Sequence, residues 1–452
     1  MEKGSDISVF VGREGFINRL SRLIRANSSP GRGLKIISIY GKSGVGKSFL
    51  INKVLQQEHS FLDRQLVLKI YRLPLMSLPQ VLLQVVESSG LGNGSFRKTR
   101  GLINGARAVD KKFLRHVEKK SPQLRRAIEN LGVVGIKWAL KQYHLTPDIL
   151  GIDIAEQDIR ELVNFAQRET SRFVDRMLKT PRYWAEVDLE TFAGEALWED
   201  ISRVVNTAEK YRRQKTPPFR RFPYKHSLLF IIDDYEGISP LMEKTFLRLA
   251  SRLEKAAFNS LLVFVGRNEL SWMSTWRYFS AFREESIRLD VFSEQEARKY
   301  LLLKGINNPH MEKEILARSY RLPLLLEILT DVYIKGRKTN WIEEYFRRIT
   351  YHMNKKQREW LEMLSFIDGR IDEDVIAAIV GSREMAQEIF EWFKQEGTAH
   401  ISTEKGWEID PIVRSLIREK VWQDSQLRAE KYRRVAGIAQ QQVQKEIQAW
   451  NS

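Results

Sequence analysis

A glycine-rich segment from Gly41 to Ser48 is the part of this sequence best suited to chemistry. It reads GKSGVGKS and fits the pattern G-x-x-x-x-G-K-S, with an apolar segment before it and a helical segment after it. Glycines in such a loop let backbone N–H groups point at a phosphate beside a helix N-terminus. Lys47 can then reach the β- and γ-phosphates, and the Ser48 hydroxyl can ligate magnesium. The segment predicts a binding loop for the phosphates of ATP or ADP, with Mg²⁺.

Two adjacent carboxylates are the second chemical feature. Asp233 and Asp234 directly follow the continuously apolar segment LLFII. A nucleotide site of this kind needs an acidic residue at the end of a neighbouring strand. We expect Asp233 to hold the magnesium shell and Asp234 to orient the attacking water. Glu236 is a weaker candidate for orienting the water.

An arginine follows a further apolar segment, LLVFV, and completes the set of candidate catalytic residues. Arg267 leaves the end of this segment, where its guanidinium could interact with a γ-phosphate. The alternative interpretation is a surface arginine at a strand end. Lys47, Asp234 and Arg267 are therefore the predicted catalytic residues.

These residues need a scaffold that brings distant parts of the chain together. Short apolar segments alternate with helical ones at 34–90 and 226–303. Continuous apolar segments are typical of buried parallel strands. Ser293 and Glu296 have the spacing of a capping box, which predicts a helix start after the last strand. The pattern predicts an α/β protein with a doubly wound parallel sheet.

The ordered series of motifs resembles the signal-transduction ATPases with numerous domains (STAND), the class that includes NB-ARC and NACHT proteins. VFVGREGFINRLSRLI looks like the entry motif of that class, and LARSYRLPLLLEIL is similar to its G-L-P-L motif, with Arg321 in place of the glycine. The resemblance covers 9–92 and 226–425. It implies that the nucleotide is held by Arg13, Gly41, Gly44, Val45, Gly46, Lys47, Ser48, Phe49 and Pro323.

The resemblance and the composition together divide the chain into predicted regions. A P-loop ATPase domain lies in two parts, 1–90 and 226–292, around a basic, mainly helical insert at 91–225. Three helical segments and a hairpin pattern predict a winged-helix domain. The predicted winged-helix domain covers 351–425. A helical lid at 293–350 precedes it, and a C-terminal helix at 426–452 follows it.

One position departs from the resembled family. Its winged helix often ends with a histidine that touches the ADP β-phosphate, whereas Asp410 takes that place here. A carboxylate beside a diphosphate is repelled unless it is protonated or bridged by a cation. We therefore expect Asp410 not to copy the direct contact of the histidine.

The positive charge is concentrated in the predicted insert. The net charge of the chain is +17, and the clusters at 97–126 and 210–225 together account for +16 of it. Such a basic insert could bind nucleic acid through phosphate contacts. An acidic protein partner and a plain solvated surface are the alternatives that the sequence leaves open.

Composition narrows the class of protein. The absence of cysteine excludes thiol catalysis and thiolate zinc sites, and no segment has the length and apolarity of a membrane span. We expect a cytoplasmic ATPase that acts as a nucleotide-controlled switch in signalling or defence, hydrolyses ATP slowly and contacts an effector or further copies of itself. The alternatives are an origin-recognition-like AAA+ ATPase that binds DNA and a nucleotide binder without turnover.

Overall fold

The computed structural model describes most of the chain outside the central insert. Its described residues are 11–29, 31–71, 78–91, 95–104, 189–213, 225–235, 240–267, 269–270, 285–335, 340–351, 353–396, 398–402 and 406–451. Most of the predicted insert, including most of both basic clusters, lies outside these ranges.

A five-stranded parallel sheet forms the first layer, and its order is β2-β3-β4-β1-β5. This confirms the predicted α/β fold with a parallel sheet. The middle strands are almost completely buried, as their continuous apolar sequences indicate. The strands are β1 (Gly33–Tyr40), β2 (Gln65–Ile70), β3 (Ser227–Asp233), β4 (Asn259–Gly266) and β5 (Ser286–Arg288).

Helices cover both faces of the sheet. Side chains alternate along β1, so that Ile37 and Ile39 join one apolar cluster and Leu34 and Ile36 join the other. The first cluster includes residues of α1 (Glu14–Asn27) and α2 (Lys47–Gln57), with the short α3 (His59–Leu62) nearby; the second includes α4 (Leu78–Ser88), α5 (Leu189–Arg213) and α6 (Pro240–Glu254).

Helix α5 lies in the range predicted as insert, yet it packs on the sheet. Its Ala196, Leu197 and Ile201 belong to the apolar cluster that also holds Phe230 of β3. The fully buried Asp200 accepts hydrogen bonds from the Thr99 backbone N–H at 2.8 Å and the Thr99 hydroxyl at 2.9 Å. The described ends of the predicted insert are thus fixed to each other and to the ATPase core.

Four helices form the lid after β5. Ser293 and Glu296 make the predicted capping box at the start of the first of them, which confirms that helix start. The second and fourth begin with asparagine caps, Asn308 and Asn340. The lid consists of α7 (Glu294–Leu303), α8 (Pro309–Ser319), α9 (Pro323–Lys335) and α10 (Trp341–Ile349).

A winged-helix arrangement follows the lid. Three helices precede an antiparallel hairpin in which Ala399 pairs with Ile409, and two further helices end the described chain. Its apolar residues, such as Phe393 and Leu416, belong to the same cluster as Ile37 of the sheet. The elements are α11 (Lys355–Leu364), α12 (Glu373–Val380), α13 (Arg383–Gln395), β6 (Ala399–Ser402), β7 (Gly406–Ile409), α14 (Pro411–Asp424) and α15 (Gln426–Asn451).

None of the helices within the described ranges combines the length and the apolarity that crossing a membrane requires.

A buried amide pair fixes α1 to the sheet. Asn27 Nδ2 donates to Gln65 Oε1 at 2.6 Å and to the Leu228 carbonyl at 3.0 Å, while Gln65 Nε2 donates to the Ile24 carbonyl at 3.0 Å. Both side chains are buried. This pair therefore sets the position of the helix that begins directly after Arg13.

Asn27→Ala should lower the free energy of unfolding by about 1–3 kcal/mol, because it leaves buried acceptors on Gln65 and Leu228 without their donor. Asn18→Ala, on an exposed position of the same helix, should change it by no more than about 0.5 kcal/mol. Urea unfolding followed by tryptophan fluorescence measures both variants. Equal losses would contradict the role of the amide pair.

Candidate nucleotide site

The loop from Gly41 to Ser48 connects β1 to α2, and its glycines are required by close contacts. Gly41 has φ +152°, and a Cβ there would lie 2.1 Å from the Leu289 carbonyl oxygen. Gly44 has φ +82°, and its Cβ would lie 2.8 Å from Leu324 Cβ in the lid. The loop is therefore held between β5 and α9 at a spacing that excludes side chains at these two positions.

Lys47 begins α2 and lies inside the curve of the loop. Its Nζ donates to the carbonyl of Gly41 at 2.7 Å and to that of Lys42 at 3.0 Å, and the residue is buried. The ammonium is thus directed back over the loop rather than into solvent. At the start of a helix it adds a full positive charge to the partial charge of the helix dipole.

The paired carboxylates differ in burial. Asp233 is buried at the end of β3, and burial, with the neighbouring charge of Asp234, raises the pKa of its carboxyl to about 6. The Ser48 hydroxyl donates to the Asp233 carboxylate, and this bond and the charge of Lys47 act against the shift. Asp234 has φ +57° and its backbone N–H donates to Asp233 Oδ1 at 3.1 Å. Asp234 itself is only partly buried, and the chain leaves β3 there in a left-handed backbone conformation.

The hydroxyl of Ser48 and the carboxylate of Asp233 fit a magnesium ion. Magnesium takes hard oxygen ligands, and in phosphate sites one or two protein ligands suffice because waters and phosphates supply the others. Among the described residues no group of three or more His, Asp or Glu side chains converges as a metal cage. A small oxygen site beside a phosphate loop is therefore the arrangement that these residues offer.

Arg267 follows β4, between the loop and the carboxylates. Arg267 lines a cavity together with residues of the loop, and its Nη1 lies 3.8 Å from Glu396 Oε2 of the winged-helix region. Both side chains are largely buried. An arginine of the sheet domain thus contacts both the cavity and the winged helix.

Arg13 lies just before α1, at the far side of the loop. Its φ is +67°, and its guanidinium donates to the Asp290 carbonyl and, at 3.5 Å, to the Val45 carbonyl. The guanidinium also lies 5.3 Å from the ring centroid of Phe292, and burial lowers its pKa from the usual value. Arg13 therefore ties the entry segment to the loop.

One cavity of about 910 Å³ collects most of the predicted site residues. Gly41 and Asp233 do not line it; Gly41 lies against β5, and Asp233 is buried behind Ser48. Glu236 lies outside the described residues. The predicted residues that line the cavity are Arg13, Gly44, Val45, Gly46, Lys47, Ser48, Phe49, Asp234, Arg267 and Pro323.

The lid supplies cavity residues that sequence reasoning missed. Tyr300 comes from α7, Lys304 follows the end of that helix, and Arg348 comes from the end of α10. The Tyr351 hydroxyl lies 3.5 Å from Asp234 Oδ2. Only in α9 could the sequence have indicated the lining residues, because they have the spacing of one helix face. These residues are Leu324, Glu327, Asp331 and Ile334.

Asp410 caps α14 and contacts the phosphate loop. Its Oδ1 accepts from the backbone N–H groups of Ile412 at 2.9 Å and Val413 at 3.3 Å, and its Oδ2 forms an ion pair with Lys42 Nζ. A cationic side chain of the loop therefore balances the charge of this carboxylate.

No protein-family model matches the chain, and its sequence finds no match among curated proteins. Solved structures similar to it include the Aeropyrum pernix ORC1 protein in complex with DNA, with 12% identity, 91% of this chain and 93% of that chain covered, and a TM-score of 0.37. The Aeropyrum pernix ORC2 protein, in ADPNP–ADP complexes, has 12% identity, coverage of 93% and 97%, and a TM-score of 0.40. Cdc6p from Pyrobaculum aerophilum has 12% identity, coverage of 92% and 99%, and a TM-score of 0.34.

Likeness at this level does not establish a shared function. The predicted STAND subclass gains no support from the comparisons. The chain itself combines a parallel sheet, a glycine-rich loop of the phosphate-binding type after β1 and a winged-helix region. The chain has the fold of a P-loop NTPase with a winged-helix domain.

Asp410→Ala and Asp410→Asn should distinguish the contribution of the helix cap to stability from that of the ion pair with Lys42. The alanine variant loses both and should be destabilised by about 1–2 kcal/mol. The asparagine variant keeps an oxygen that accepts from Ile412 and Val413, and its loss should stay below about 1 kcal/mol. Urea unfolding measures the difference; identical losses would mean that the cap contributes nothing.

Proposed function

We propose that this protein binds ATP with Mg²⁺, hydrolyses it, and uses the bound nucleotide to control how the winged helix docks on the ATPase domain. The observation that supports this most is the shared cavity. Its walls come from the phosphate loop, Asp234 and Arg267 on one side and from α9 and α10 of the lid on the other. A ligand in this cavity contacts both the ATPase domain and the lid, and it reaches the winged helix through Arg267, which pairs with Glu396. It can therefore influence the arrangement of these domains.

The chemistry assigned to the loop is phosphate binding. Loop N–H groups and Lys47 bind the β- and γ-phosphates, and Ser48 and Asp233 hold the cation. Mg²⁺, when bound, neutralises charge that develops on the phosphate oxygens. Asp234 orients the attacking water, and Arg267 stabilises negative charge on the γ-phosphate.

Control of docking is supported by contacts that the ATPase domain makes with the lid and with the winged helix. The Leu324 backbone N–H of the lid donates to the Gly44 carbonyl at 3.0 Å. The winged-helix region contributes Asp410 to Lys42 and Glu396 to Arg267. The phosphate loop and the arginine that follows β4 are thus both in contact with domains that a nucleotide-dependent movement would displace.

The distribution of charge favours DNA as the object of this control. Two basic clusters hold almost the whole net charge, and sequence-independent DNA binding depends on such charge. Within the described part of these clusters, Lys98 pairs with Glu199 and Lys225 Nζ donates to the Asp63 carbonyl at 3.1 Å. These two lysines have a role in the fold, so phosphate contacts are assigned to the other members.

Signalling or defence is the second candidate, and it depends on the motif series alone. Asp410 departs from the histidine of that family and binds Lys42 instead. Self-association and an effector protein remain predictions from the resemblance. The origin-recognition-like alternative, an AAA+-type ATPase that acts on DNA, therefore has the better support from the charge of the chain.

Lys47→Ala should weaken ATP binding by about 100-fold or more, because the phosphates lose their mobile cation. Asp234→Asn should leave the ATP dissociation constant within about threefold and reduce kcat by about 10²–10⁴-fold. Lys53→Ala, on the same helix α2 and outside the cavity, is the control. Equilibrium binding and phosphate release measure the three variants, and equal loss of binding in both site variants would refute this division of roles.

DNA affinity should fall steeply with salt, by a log–log slope of about −0.9 for each duplex phosphate neutralised. Glutamine at four lysines of the first cluster should flatten that slope by up to about 3.6; the four are Lys111, Lys112, Lys119 and Lys120. The matched control replaces four exposed lysines elsewhere: Lys35, Lys255, Lys299 and Lys313. Absence of DNA binding even at low salt would remove DNA as the partner.

A further inference from the structure

We propose that Glu396 makes this site discriminate ADP from ATP, by holding Arg267 against the winged helix in competition with the γ-phosphate. The inference rests on the proposed function, since it concerns the same nucleotide cavity. Arg267 lines that cavity, and Glu396 lies at the end of α13 with its Oε2 3.8 Å from Arg267 Nη1. Glu396 is a positioning residue that acts through the arginine.

The winged helix fixes Glu396 through its backbone. The Glu396 N–H donates to the carbonyl of the fully buried Phe393 at 3.0 Å, and the Ala399 N–H donates to the Glu396 carbonyl at 3.0 Å. The Asp410 N–H donates to the Thr398 carbonyl at 3.0 Å. Glu396 and Asp410, which both contact the ATPase domain, are therefore held at the two ends of one hairpin and must move with it.

Both partners of this ion pair are largely buried. The carboxylate has a side-chain exposure of 9% and that of Arg267 is 14%. A buried carboxylate requires a cation or donors nearby, since its desolvation is costly. Arg267 supplies that cation while the winged helix is docked.

ATP and ADP differ at this arginine by one phosphate. A γ-phosphate brings negative charge to the guanidinium that Glu396 already contacts, and the two anionic groups repel each other. ADP brings no such group. By reciprocity, docking through Glu396 disfavours ATP by the same factor by which ATP disfavours that docking.

The test compares dissociation constants for ADP and for ADPNP, a non-hydrolysed ATP analogue, with Mg²⁺. Glu396→Gln should tighten ADPNP binding by about three- to tenfold, the scale of a partly buried ion pair, and change ADP binding by less than about twofold. Glu391→Gln is the matched control, because it removes one carboxylate from the same helix, where Glu391 pairs with Lys394 at the surface. It should shift neither constant.

The dependence on Arg267 is checked by a double-mutant cycle. In an Arg267→Ala background, Glu396→Gln should no longer alter the ratio of the ADPNP and ADP constants. Glu396→Asp keeps the charge but withdraws it by one methylene. It should therefore shift the ratio of the ADPNP and ADP constants in the same direction as Glu396→Gln, but by less. This variant replaces Glu396→Gln in the test if the glutamine variant does not fold.

Two other results would overturn the inference. Equal tightening of ADP and ADPNP would mean that Glu396 only holds the domain closed, and an unchanged ratio in both Glu396 variants would mean that it does not reach the γ-phosphate through Arg267. Failure of the unmodified protein to bind either nucleotide would instead refute the proposed function, which keeps the two failures distinct.

Discussion

The parallel register of β1, β4 and β3 makes these three strands end side by side at one edge of the sheet. Tyr40 lies opposite Gly266, and Asp233 lies opposite Val265. The residues that follow, the phosphate loop, Arg267 and Asp234, therefore leave the sheet at one edge. A shift of register by a single residue would turn the apolar side chains to the opposite faces. Every distance in the cavity depends on this pairing.

The cavity has two chemically different walls. The sheet side contributes backbone N–H groups, Lys47 and Arg267, which suit phosphates. The lid side carries Glu327, whose Oε1 lies 3.6 Å from Arg348 Nη1, and Phe292 and Tyr300 near the entry segment. Apolar and aromatic surface suits the base of a nucleotide, so the polarity of the cavity matches the two ends of such a ligand.

Local chemistry explains which features could be predicted from the sequence. The strands of the sheet, the loop from Gly41 to Ser48 and the capping box at Ser293 each depend on neighbouring residues. The cap by Asp410 could also have been predicted, because Asp-Pro is a common helix start. The partners of distant residues could not. The resemblance indicated that Asp410 lies near the phosphates, but nothing in the sequence identifies Lys42 as its partner. Nothing near Arg267 indicates that Glu396 lies against it.

The position of α5 shows the same limit for the fold. Its apolar residues indicate a helix, but the sequence does not indicate which surface they cover. The sequence predicted an insert at 91–225, whereas α5, which lies in that range, packs on one face of the sheet with Phe230. Packing of this kind depends on the complementary shape of two surfaces that are distant in the chain.

One apolar cluster is shared by the sheet, the lid and the winged helix. Docking of these domains therefore depends on temperature as well as on charge. Ile37 of β1 and Phe393 of α13 belong to the same cluster. Separating these layers would expose apolar side chains to water, which carries a positive heat-capacity change. The balance between docked and separated forms would therefore curve with temperature, and apolar docking would weaken on cooling. Domain contacts in this chain are thus coupled to the hydration of its core.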